Sequence, residues 1–260
     1  MDLIKRVGIK AAFESGRILK SYFGTILDVR KKGAVDLVTE ADTASEKAIM
    51  GIIRETFPEH SILAEESGLD HGDDAYQWII DPLDGTVNFA HQLPIFSVSI
   101  AFALKGTPVM GIVLNPVTGE LFSAVADQGA FLNDSPIQVS DTRIVKESLL
   151  ATGFPYNLLS VFDIITGRLE SCLRAAQGIR RLGSAAIDLC AVSCGRFDGF
   201  WEQNLHPWDT AAALVIASES GALITDFDNK RFGIDKKEIL ATNGHIHEEM
   251  LSLLNHLQKS

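Results

Sequence analysis

The 260-residue chain is predicted to form a layered α/β fold of the α+β type, and three features of its sequence indicate this. Two amphipathic helical segments come first, a series of short strands follows, and helical and strand segments then alternate. Such an order is typical of helices and sheets packed in layers around shared cores. A change of pattern near residues 141–147 predicts two subdomains, residues 1–144 and 145–260.

The two helical segments are predicted from apolar side chains at helical spacing. Residues 3–22 carry one such stripe. The charged segment 29–36 that follows predicts an exposed loop or hairpin. A second helix is predicted from Asp42 to about Thr56, with Asp42 or Thr43 as its N-cap.

Short strands are predicted from residue 61 onward. Segments 62–64 and 78–80 are apolar runs, each followed directly by a carboxylate. Residues 97–104 alternate small or polar with apolar side chains, which predicts a half-buried strand. Further strands separated by turn residues complete a predicted antiparallel meander at 109–114, 121–125 and 130–132.

Helices and strands are predicted to alternate in the second half. The predicted helices cover 159–176, 184–194 and 208–220, and the predicted strands cover 148–152, 197–202, 222–225 and 239–242. Gly221 directly follows the last of these helices, where a left-handed C-terminal residue is favoured.

Composition and charge exclude several classes of protein. With 46% hydrophobic and 22% charged residues, the chain is neither largely disordered nor collagen-like. Lys and Arg number 23 against 34 Asp and Glu, so the net charge of −11 disfavours nucleic acid and anionic membranes as partners. Simple counting disfavours anionic substrates as well.

The same features predict a soluble cytoplasmic protein. Three cysteines are too few, and odd in number, for a secreted disulfide framework. The N-terminus lacks the features of a signal peptide. The longest uncharged apolar stretch, residues 93–104, is shorter than the roughly 18 residues that span a bilayer.

Acidic residues are placed at predicted strand ends and at one helix start. Glu65 and Glu66 follow one strand, Asp81 and Asp84 lie in or after the next, and Asp209 opens a helix. Singly, each has an ordinary structural explanation as a cap, a turn or a solvated surface. Together they offer the oxygen ligands that Mg²⁺ prefers.

The segment Asp81-Pro-Leu-Asp-Gly-Thr86 adds an anion site to these ligands. A glycine allows close approach of the backbone to a ligand, and a helix beginning near Thr86 would direct the amides of Gly85 and Thr86 toward an anion. Metal ligands and a phosphate cradle are thus predicted within one short segment.

Five segments together resemble the inositol monophosphatase family. Residues 78–91 resemble its first signature and residues 201–209, with the alanines that follow, resemble its second. Segments 36–42, 63–68 and 181–186 occur in the family's order. The resemblance implies an αβαβα sandwich, as in fructose-1,6-bisphosphatase.

The resemblance also implies the role of each site residue. The implied metal ligands, for two or three Mg²⁺ ions, are Glu65, Asp81, the carbonyl of Leu83, Asp84 and Asp209. Thr86 with Asp42 orients the attacking water and Glu65 assists it, so these three residues form the implied catalytic group. The implied phosphate contacts are Gly85 and Thr86, and the implied contacts to the alcohol are Glu202, Gly183 and Ala185. Lys31 resembles part of a mobile element that closes over the metals.

The expected activity is Mg²⁺-dependent hydrolysis of inositol 1-phosphate to inositol and phosphate. Glu202 suits a pair of polyol hydroxyls, which favours this substrate over its alternatives. Those alternatives are fructose-1,6-bisphosphatase, nucleotide 3′-phosphatase and NADP phosphatase activity, or a non-enzymatic role in transcription or ribosome assembly. The resemblance further implies a homodimer and inhibition by Li⁺.

Two electrostatic expectations follow. Asp209, at a helix start, is expected to have a lowered pKa and to stay ionised for its metal. Bound Mg²⁺ would reverse the sign of the acidic site, so that a phosphate could bind despite the net charge.

Overall fold

The computed structural model describes residues 1–24, 30–32, 36–38, 40–155 and 158–255, and of 30–32 and 36–38 it describes the backbone alone. The α-helices in these residues are α1 (Asp2–Tyr22), α2 (Glu40–Thr56), α3 (Thr86–Ala90), α4 (Phe162–Ala175), α5 (Ala185–Ser193), α6 (Pro207–Glu219) and α7 (His247–Asn255). The first eight strands are β1 (Arg30–Lys32), β2 (Asp36–Val38), β3 (His60–Ala64), β4 (Gly68–Asp70), β5 (Asp73–Asp84), β6 (Ser97–Leu104), β7 (Thr107–Asn115) and β8 (Glu120–Val125). The other strands are β9 (Ala130–Leu132), β10 (Ser135–Ile137), β11 (Leu149–Thr152), β12 (Gly178–Arg180), β13 (Gly199–Gln203), β14 (Leu223–Thr225) and β15 (Glu238–Thr242).

Two large sheets account for most of the strands. The first has eight strands in the order β10-β9-β8-β7-β6-β5-β3-β4, and all its neighbouring pairs are antiparallel except β3 with β5. The run from β5 to β10 confirms the predicted meander. The second sheet has five strands in the order β12-β11-β13-β15-β14, and its β11 is parallel to both neighbours.

Helices and sheets alternate in five layers, which confirms the predicted αβαβα sandwich. Helices α1 and α2 cover one face of the eight-stranded sheet, and α5 and α6 lie between that sheet and the five-stranded one. Helices α4 and α7 cover the outer face of the five-stranded sheet. Three apolar clusters fill the spaces between layers, and the central one joins residues of both halves of the chain.

Strand β6 is buried on both faces, so the prediction of a half-buried strand is wrong. Its large side chains, such as Phe102, pack under α1 and α2. Its small side chains face α6, and Ser99 Oγ donates to the carbonyl oxygen of Trp208 at 3.4 Å. Small residues occur on this face because a helix packs directly against the strand, and not because the face is exposed to solvent.

Strand β7 shows how closely α6 approaches the sheet. A Cβ atom at Gly111 would lie 2.0 Å from the carbonyl oxygen of Ala212. Glycine is therefore required at this point by a backbone-to-backbone contact. The contact fixes the position of α6, whose first turn carries Asp209.

Several element boundaries differ from the predicted ones. Helix α2 begins at Glu40, so Asp42 lies within its first turn and, like Thr43, is not its N-cap. Helix α4 begins at Phe162, and a short 3₁₀ helix precedes it at Leu158–Ser160. The sequence patterns missed α7. They also missed the strands β4, β10 and β12, because three residues are too few to show a period.

The charged segment 29–36 contains one strand of a hairpin, as predicted. Strand β1 pairs with β2 in antiparallel register, and Lys31 is opposite Leu37. Residues 33–35 between the strands and the side chain of Lys31 lie outside the part that the structure describes. Among the described helices, none is long and apolar enough to span a membrane.

Candidate active site

The predicted metal ligands and phosphate contacts line one cavity, at the carboxyl ends of β3 and β5. Its volume is about 290 Å³, and every predicted metal ligand lies in its wall: Glu65, Asp81, Leu83, Asp84 and Asp209. Gly85, Thr86 and Glu202 line it as well. Residues that are up to 144 positions apart in sequence, from Glu65 to Asp209, thus meet where β3, β5 and β13 end and α6 begins.

A bulge in β5 puts Asp81 and Asp84 on the same side of the sheet. Residues three apart in a regular strand point to opposite faces. Here Asp81 is opposite Ser99 and Asp84 is opposite Ser97, so three steps on β5 match two steps on β6. The extra residue re-aims the strand, as β-bulges do next to active sites. Both carboxylates therefore reach the cavity.

Hydrogen bonds fix the shape of this segment. The backbone N–H of Leu83 donates to Asp81 Oδ1 at 2.9 Å, and the Thr86 hydroxyl donates to the carbonyl oxygen of Leu83 at 3.0 Å. Gly85 has a φ of 95° and caps α3. A Cβ atom on it would lie 2.9 Å from the carbonyl oxygen of Ile95. Only glycine fits this turn, on steric and conformational grounds.

Asp84 is held by groups from both halves of the chain. Its Oδ2 accepts from the hydroxyl of Ser184, from the backbone N–H of Ala186 at 3.0 Å and from the hydroxyl of Ser97 at 3.4 Å. Burial raises the pKa of Asp84, and these hydrogen bonds act against that rise. The N-terminus of α5 thereby stabilises a carboxylate of β5.

The acidic residues act strongly on one another. Burial raises the pKa of Asp81 well above its usual range, and the charges of Glu65, Asp84, Asp209 and Asp42 raise it further. These charges act on Asp81 because the carboxylates lie close to it. Carboxylates so placed ionise together only when a cation compensates them.

The pKa of Asp209 is raised, so the prediction of a lowered pKa is wrong. Its Oδ2 accepts the backbone N–H of His206 at 2.7 Å, so it does cap α6. Burial nevertheless outweighs that bond, and together with the charges of Asp84 and Glu65 it raises the pKa of Asp209 to about 8. The helix N-terminus is a smaller effect than removal from water among other acids.

The donor set of the cavity fits Mg²⁺. It consists of carboxylate oxygens and one backbone carbonyl, and no described residue in its wall is a lysine or an arginine. In the described ranges, no group of three or more His, Cys, Asp or Glu side chains is arranged so that it could hold a metal ion by itself. That is compatible with Mg²⁺, which takes one or two carboxylates per ion and keeps several waters.

Asp42 and Glu46 support the site from α2. Asp42 is almost fully buried and acts on Asp81. Glu46 Oε2 accepts the backbone N–H of Glu66 at 3.0 Å, which fixes the turn after β3. The described contacts of the Thr86 hydroxyl run to Leu83, and its pairing with Asp42 stays a prediction.

A smaller cavity of about 110 Å³ adjoins the first and contains the predicted contacts to the alcohol. Glu202, Gly183 and Ala185 line it. Asn88 Nδ2 donates to the carbonyl oxygen of Leu182 at 2.8 Å, which ties the loop before α5 to α3. The pKa of Glu202 is raised to about 8, by burial first and then by the charge of Asp209.

Sequence reasoning missed four residues around these cavities. Ser184 and Ser97 donate to Asp84, whereas Gly153 and Asp188 lie in the wall beside Glu202. Ser184 lies within segment 181–186 of the family resemblance, so a signal existed for it. Gly153 follows a strand directly and carries no period or charge that could have singled it out.

A larger cavity, of about 910 Å³, lies at the far end of α6. It is lined by residues such as Leu214, Ile224 and Phe232, with scattered charges. The residues suited to metal and phosphate chemistry converge in the two smaller cavities instead.

Comparison with known proteins identifies the family. The model of the inositol monophosphatase family matches residues 1–259. The chain belongs to the inositol monophosphatase family. It is 44% identical to "Inositol-1-monophosphatase" of Synechocystis sp. over 95% of this chain and 87% of that protein. It is 39% identical to "Nus factor SuhB" of Haemophilus influenzae over 97% of this chain and 96% of that protein.

A solved structure extends the likeness to three dimensions. The extragenic suppressor protein suhB from Bartonella henselae superposes with a TM-score of 0.94 at 39% identity, over 97% of this chain and 98% of that one. Inositol monophosphatases are phosphatases that generally depend on Mg²⁺ and act on small phosphorylated molecules. A phosphatase activity follows for this chain.

Proposed function

We propose that the protein hydrolyses inositol 1-phosphate to inositol and phosphate with a metal-activated water as nucleophile. One observation carries the proposal: the acidic residues Glu65, Asp81, Asp84 and Asp209 and the Gly85–Thr86 turn line one cavity, and Glu202 lies where that cavity meets a second one. The first cavity suits metal ions and phosphate, and the second suits the alcohol.

The metal ligands are Glu65, Asp81, the carbonyl oxygen of Leu83, Asp84 and Asp209, which would hold about two or three Mg²⁺ ions. Bound Mg²⁺ supplies a water of lowered pKa and stabilises the negative charge on the leaving alcohol. The protein's part is to hold these carboxylates turned toward the cavity, where a bound cation compensates their charge. The bulge in β5 and the donors to Asp84 support this.

The attacking water is oriented by Thr86 and Asp42, and Glu65 assists. A neutral hydroxyl is too weak a base to deprotonate the water, and that of Thr86 donates to the carbonyl oxygen of Leu83. It can accept a hydrogen bond from the water and so fix the direction of attack. The backbone amides of Gly85 and Thr86 hold the phosphate oxygens.

Glu202, with Gly183 and Ala185, contacts the alcohol. A carboxylate is a strong acceptor for hydroxyl donors, and a polyol presents several of them. The Synechocystis relative named "Inositol-1-monophosphatase" supports inositol as that polyol. The homodimer, the cytoplasmic location and inhibition by Li⁺ are parts of the same proposal.

Phosphate release from inositol 1-phosphate with millimolar Mg²⁺ tests the activity. Asp84→Asn keeps the size of the side chain but removes its charge, so we expect kcat to fall by about a hundredfold or more. Asp134→Asn is the matched control, because Asp134 lies in an exposed turn at a φ of 63° that Asn tolerates. Undiminished hydrolysis by Asp84→Asn, or no release by the native protein, contradicts the proposal.

Other substrates and a regulatory role are the alternatives. A panel of inositol 1-phosphate, fructose 1,6-bisphosphate, 3′-phosphoadenosine 5′-phosphate and NADP distinguishes the phosphatase substrates. The Haemophilus relative named "Nus factor SuhB" supports a role in transcription or ribosome assembly. A role of that kind would persist in cells that carry Asp84→Asn, whereas one that needs hydrolysis would not.

A further inference from the structure

Glu202 and Gly153 are neighbours at the carboxyl ends of two parallel strands. In the register of β11 with β13, Thr152 is opposite Trp201. One residue further along, Gly153 leaves β11 beside Glu202. Ligands of open α/β sheets bind at this end of the strands, and both residues line the smaller cavity.

The Glu202 carboxyl group occupies the space that a side chain at position 153 would need. A Cβ atom built on Gly153 would lie 2.0 Å from Glu202 Oε2, 2.2 Å from Oε1 and 2.1 Å from Cδ. All three distances are far below van der Waals contact, so the carboxyl group rests directly on the Cα of Gly153. The φ of Gly153 is not among the positive values. Glu202, and not the backbone, excludes a side chain here.

The backbone on either side of Glu202 is fixed, so the clash must move its side chain. The buried hydroxyl of Thr152 donates to the carbonyl oxygen of Trp201 at 2.9 Å, which ties β11 to β13. On the other side, β13 pairs with β15, where Glu202 is opposite Ile239 and Gln203 is opposite Glu238. The strands cannot separate to admit a methyl group, but the end of a glutamate side chain can rotate away.

The rest of the wall favours hydrogen-bond donors on the bound alcohol. Asp188 is buried beside Glu202, and its Oδ1 accepts no hydrogen bond from the residues that the structure describes. The Arg181 guanidinium lies 5.6 Å from the centre of the Phe154 ring and closes the wall. The carboxyl groups of Glu202 and Asp188 are acceptors that suit hydroxyl groups, and Arg181 lies in the same wall.

We propose that Gly153 is a positioning residue: its missing side chain seats the Glu202 carboxylate, and this seat gives selectivity for phosphate esters whose alcohol carries hydroxyl groups. The inference rests on the phosphatase activity proposed above. It adds Gly153, which acts through the absence of a side chain, and it names the substrates as phosphate esters of alcohols that carry further hydroxyl groups.

Gly153→Ala tests the seat directly. The ratio of kcat/KM for inositol 1-phosphate to kcat/KM for phenyl phosphate, which has no hydroxyl to donate, measures the selectivity. We expect this ratio to fall about tenfold, as for loss of one hydrogen bond to a charged acceptor. Gly51→Ala is the control, since a Cβ there meets nothing within 4 Å, and its ratio should equal that of the native protein.

A double-mutant cycle separates this effect from general damage. Glu202→Ala should lower the same ratio, and adding Gly153→Ala to it should change the ratio by less than about twofold. Thermal unfolding gives a second readout. If Gly153→Ala lowers the Tm, Glu202→Ala should restore it, because the added methyl group then finds room.

Three results would overturn the inference. The selectivity ratio could be unchanged in Gly153→Ala, it could fall by the full amount in the Glu202→Ala background, or Glu202→Ala could fail to restore a lowered Tm. If the native protein hydrolyses phenyl phosphate and the variants give any of these results, the proposed phosphatase activity stands and the proposed role of Gly153 is wrong. A native protein inactive on both esters contradicts the proposed function, and this inference with it.

Discussion

Asp84 shows how a buried carboxylate can remain available for a cation. Its hydrogen-bond partners, two hydroxyls and one backbone amide, are neutral. Neutral donors stabilise the anion and leave its charge uncompensated, whereas a lysine or an arginine would neutralise it. The negative charge stays available to a metal, although the side chain is nearly inaccessible to water.

At the residue scale, the metal-free protein should lose stability as the pH rises from about 6.5 to 8. The pKa values of Asp209 and Glu202 are raised to about 8, so both bind more protons in the folded than in the unfolded state. Stability that depends on a raised pKa is lost as the pH rises through the folded value. Below about 6.5, the lowered pKa values of His60 and His247 act in the opposite direction.

The Tm measured with a chelator across this pH range checks the prediction. Millimolar Mg²⁺ should raise the Tm most at pH 8, because the ions compensate the ionised carboxylates. Asp209→Asn should flatten the fall in the metal-free protein. A Tm that, measured with the chelator present, stays constant or rises with pH contradicts this account.

The sequence named most of the carboxylates that line the cavity, but it did not predict their ionisation. Glu65, Asp81, Asp84 and Asp209 could be named from their positions after a strand or at a helix start, whereas Glu202 was named through the family resemblance alone. The pKa of Asp209 could not be predicted, because it depends on Asp84 and Glu65, which are distant in sequence. A helix N-terminus is visible in a sequence, whereas burial among other acids is not.

At the element scale, the seating of α6 on β7 controls where Asp209 lies. Gly111→Ala would place a methyl group 2.0 Å from the carbonyl oxygen of Ala212, a backbone atom that cannot rotate away. We expect the free energy of unfolding to fall by about 3 kcal/mol. The affinity for Mg²⁺ should also fall, because the first turn of α6 moves with the helix.

Urea unfolding of Gly111→Ala, with and without Mg²⁺, measures both effects. Gly178→Ala is the matched control in a strand, since a Cβ there would have neighbours no closer than 3.5 Å. Equal unfolding free energies for Gly111→Ala and the native protein would show that the sheet can yield at this contact.

The longer elements were predictable and the irregular ones were not. Helix α1 and strands β6 and β7 have clear apolar patterns, and the structure confirms them. The bulge between Asp81 and Asp84 has no such pattern, because it exists only relative to β6. The prediction that β6 is half-buried is wrong for the same reason. Its small residues pack against α6, which comes more than a hundred residues later.

At the scale of the whole molecule, the active site holds the two halves of the chain together. Asn88 Nδ2 donates to Ile95 within the first half, at 2.7 Å, and to Leu182 in the second, at 2.8 Å. Asn88→Ala should lower the free energy of unfolding by about 1–3 kcal/mol, because two carbonyl groups lose their donor. It should also weaken the stabilisation by Mg²⁺, since two of the donors to Asp84, Ser184 and the backbone N–H of Ala186, lie in the second half.

Chemical unfolding at several Mg²⁺ concentrations measures this coupling. Asn255→Ala is the control, because Asn255 Nδ2 donates at 2.7 Å to Phe227 within the second half alone. It should lower stability without changing the dependence on Mg²⁺. The same dependence in both variants would show that the tether does not reach the metal site.

The net charge of −11 describes the molecule poorly until its distribution is known. A count of charges disfavours an anionic substrate, yet the acids of the site are those that would bind Mg²⁺ and, through it, phosphate. The sequence identified the layers and the family. It could not show that the wall beside Glu202 depends on a glycine.

The order of the layers also has a consequence in time. The eight-stranded sheet is complete at Ile137, but the helix that covers its inner face ends at Glu219. At roughly 5–20 residues per second, a ribosome needs about 4 to 16 s to make the intervening chain. Throughout that interval the nascent sheet presents Ile79, Ala101 and Val113 without their partners. This face of the sheet can be covered only after α6 has been synthesised.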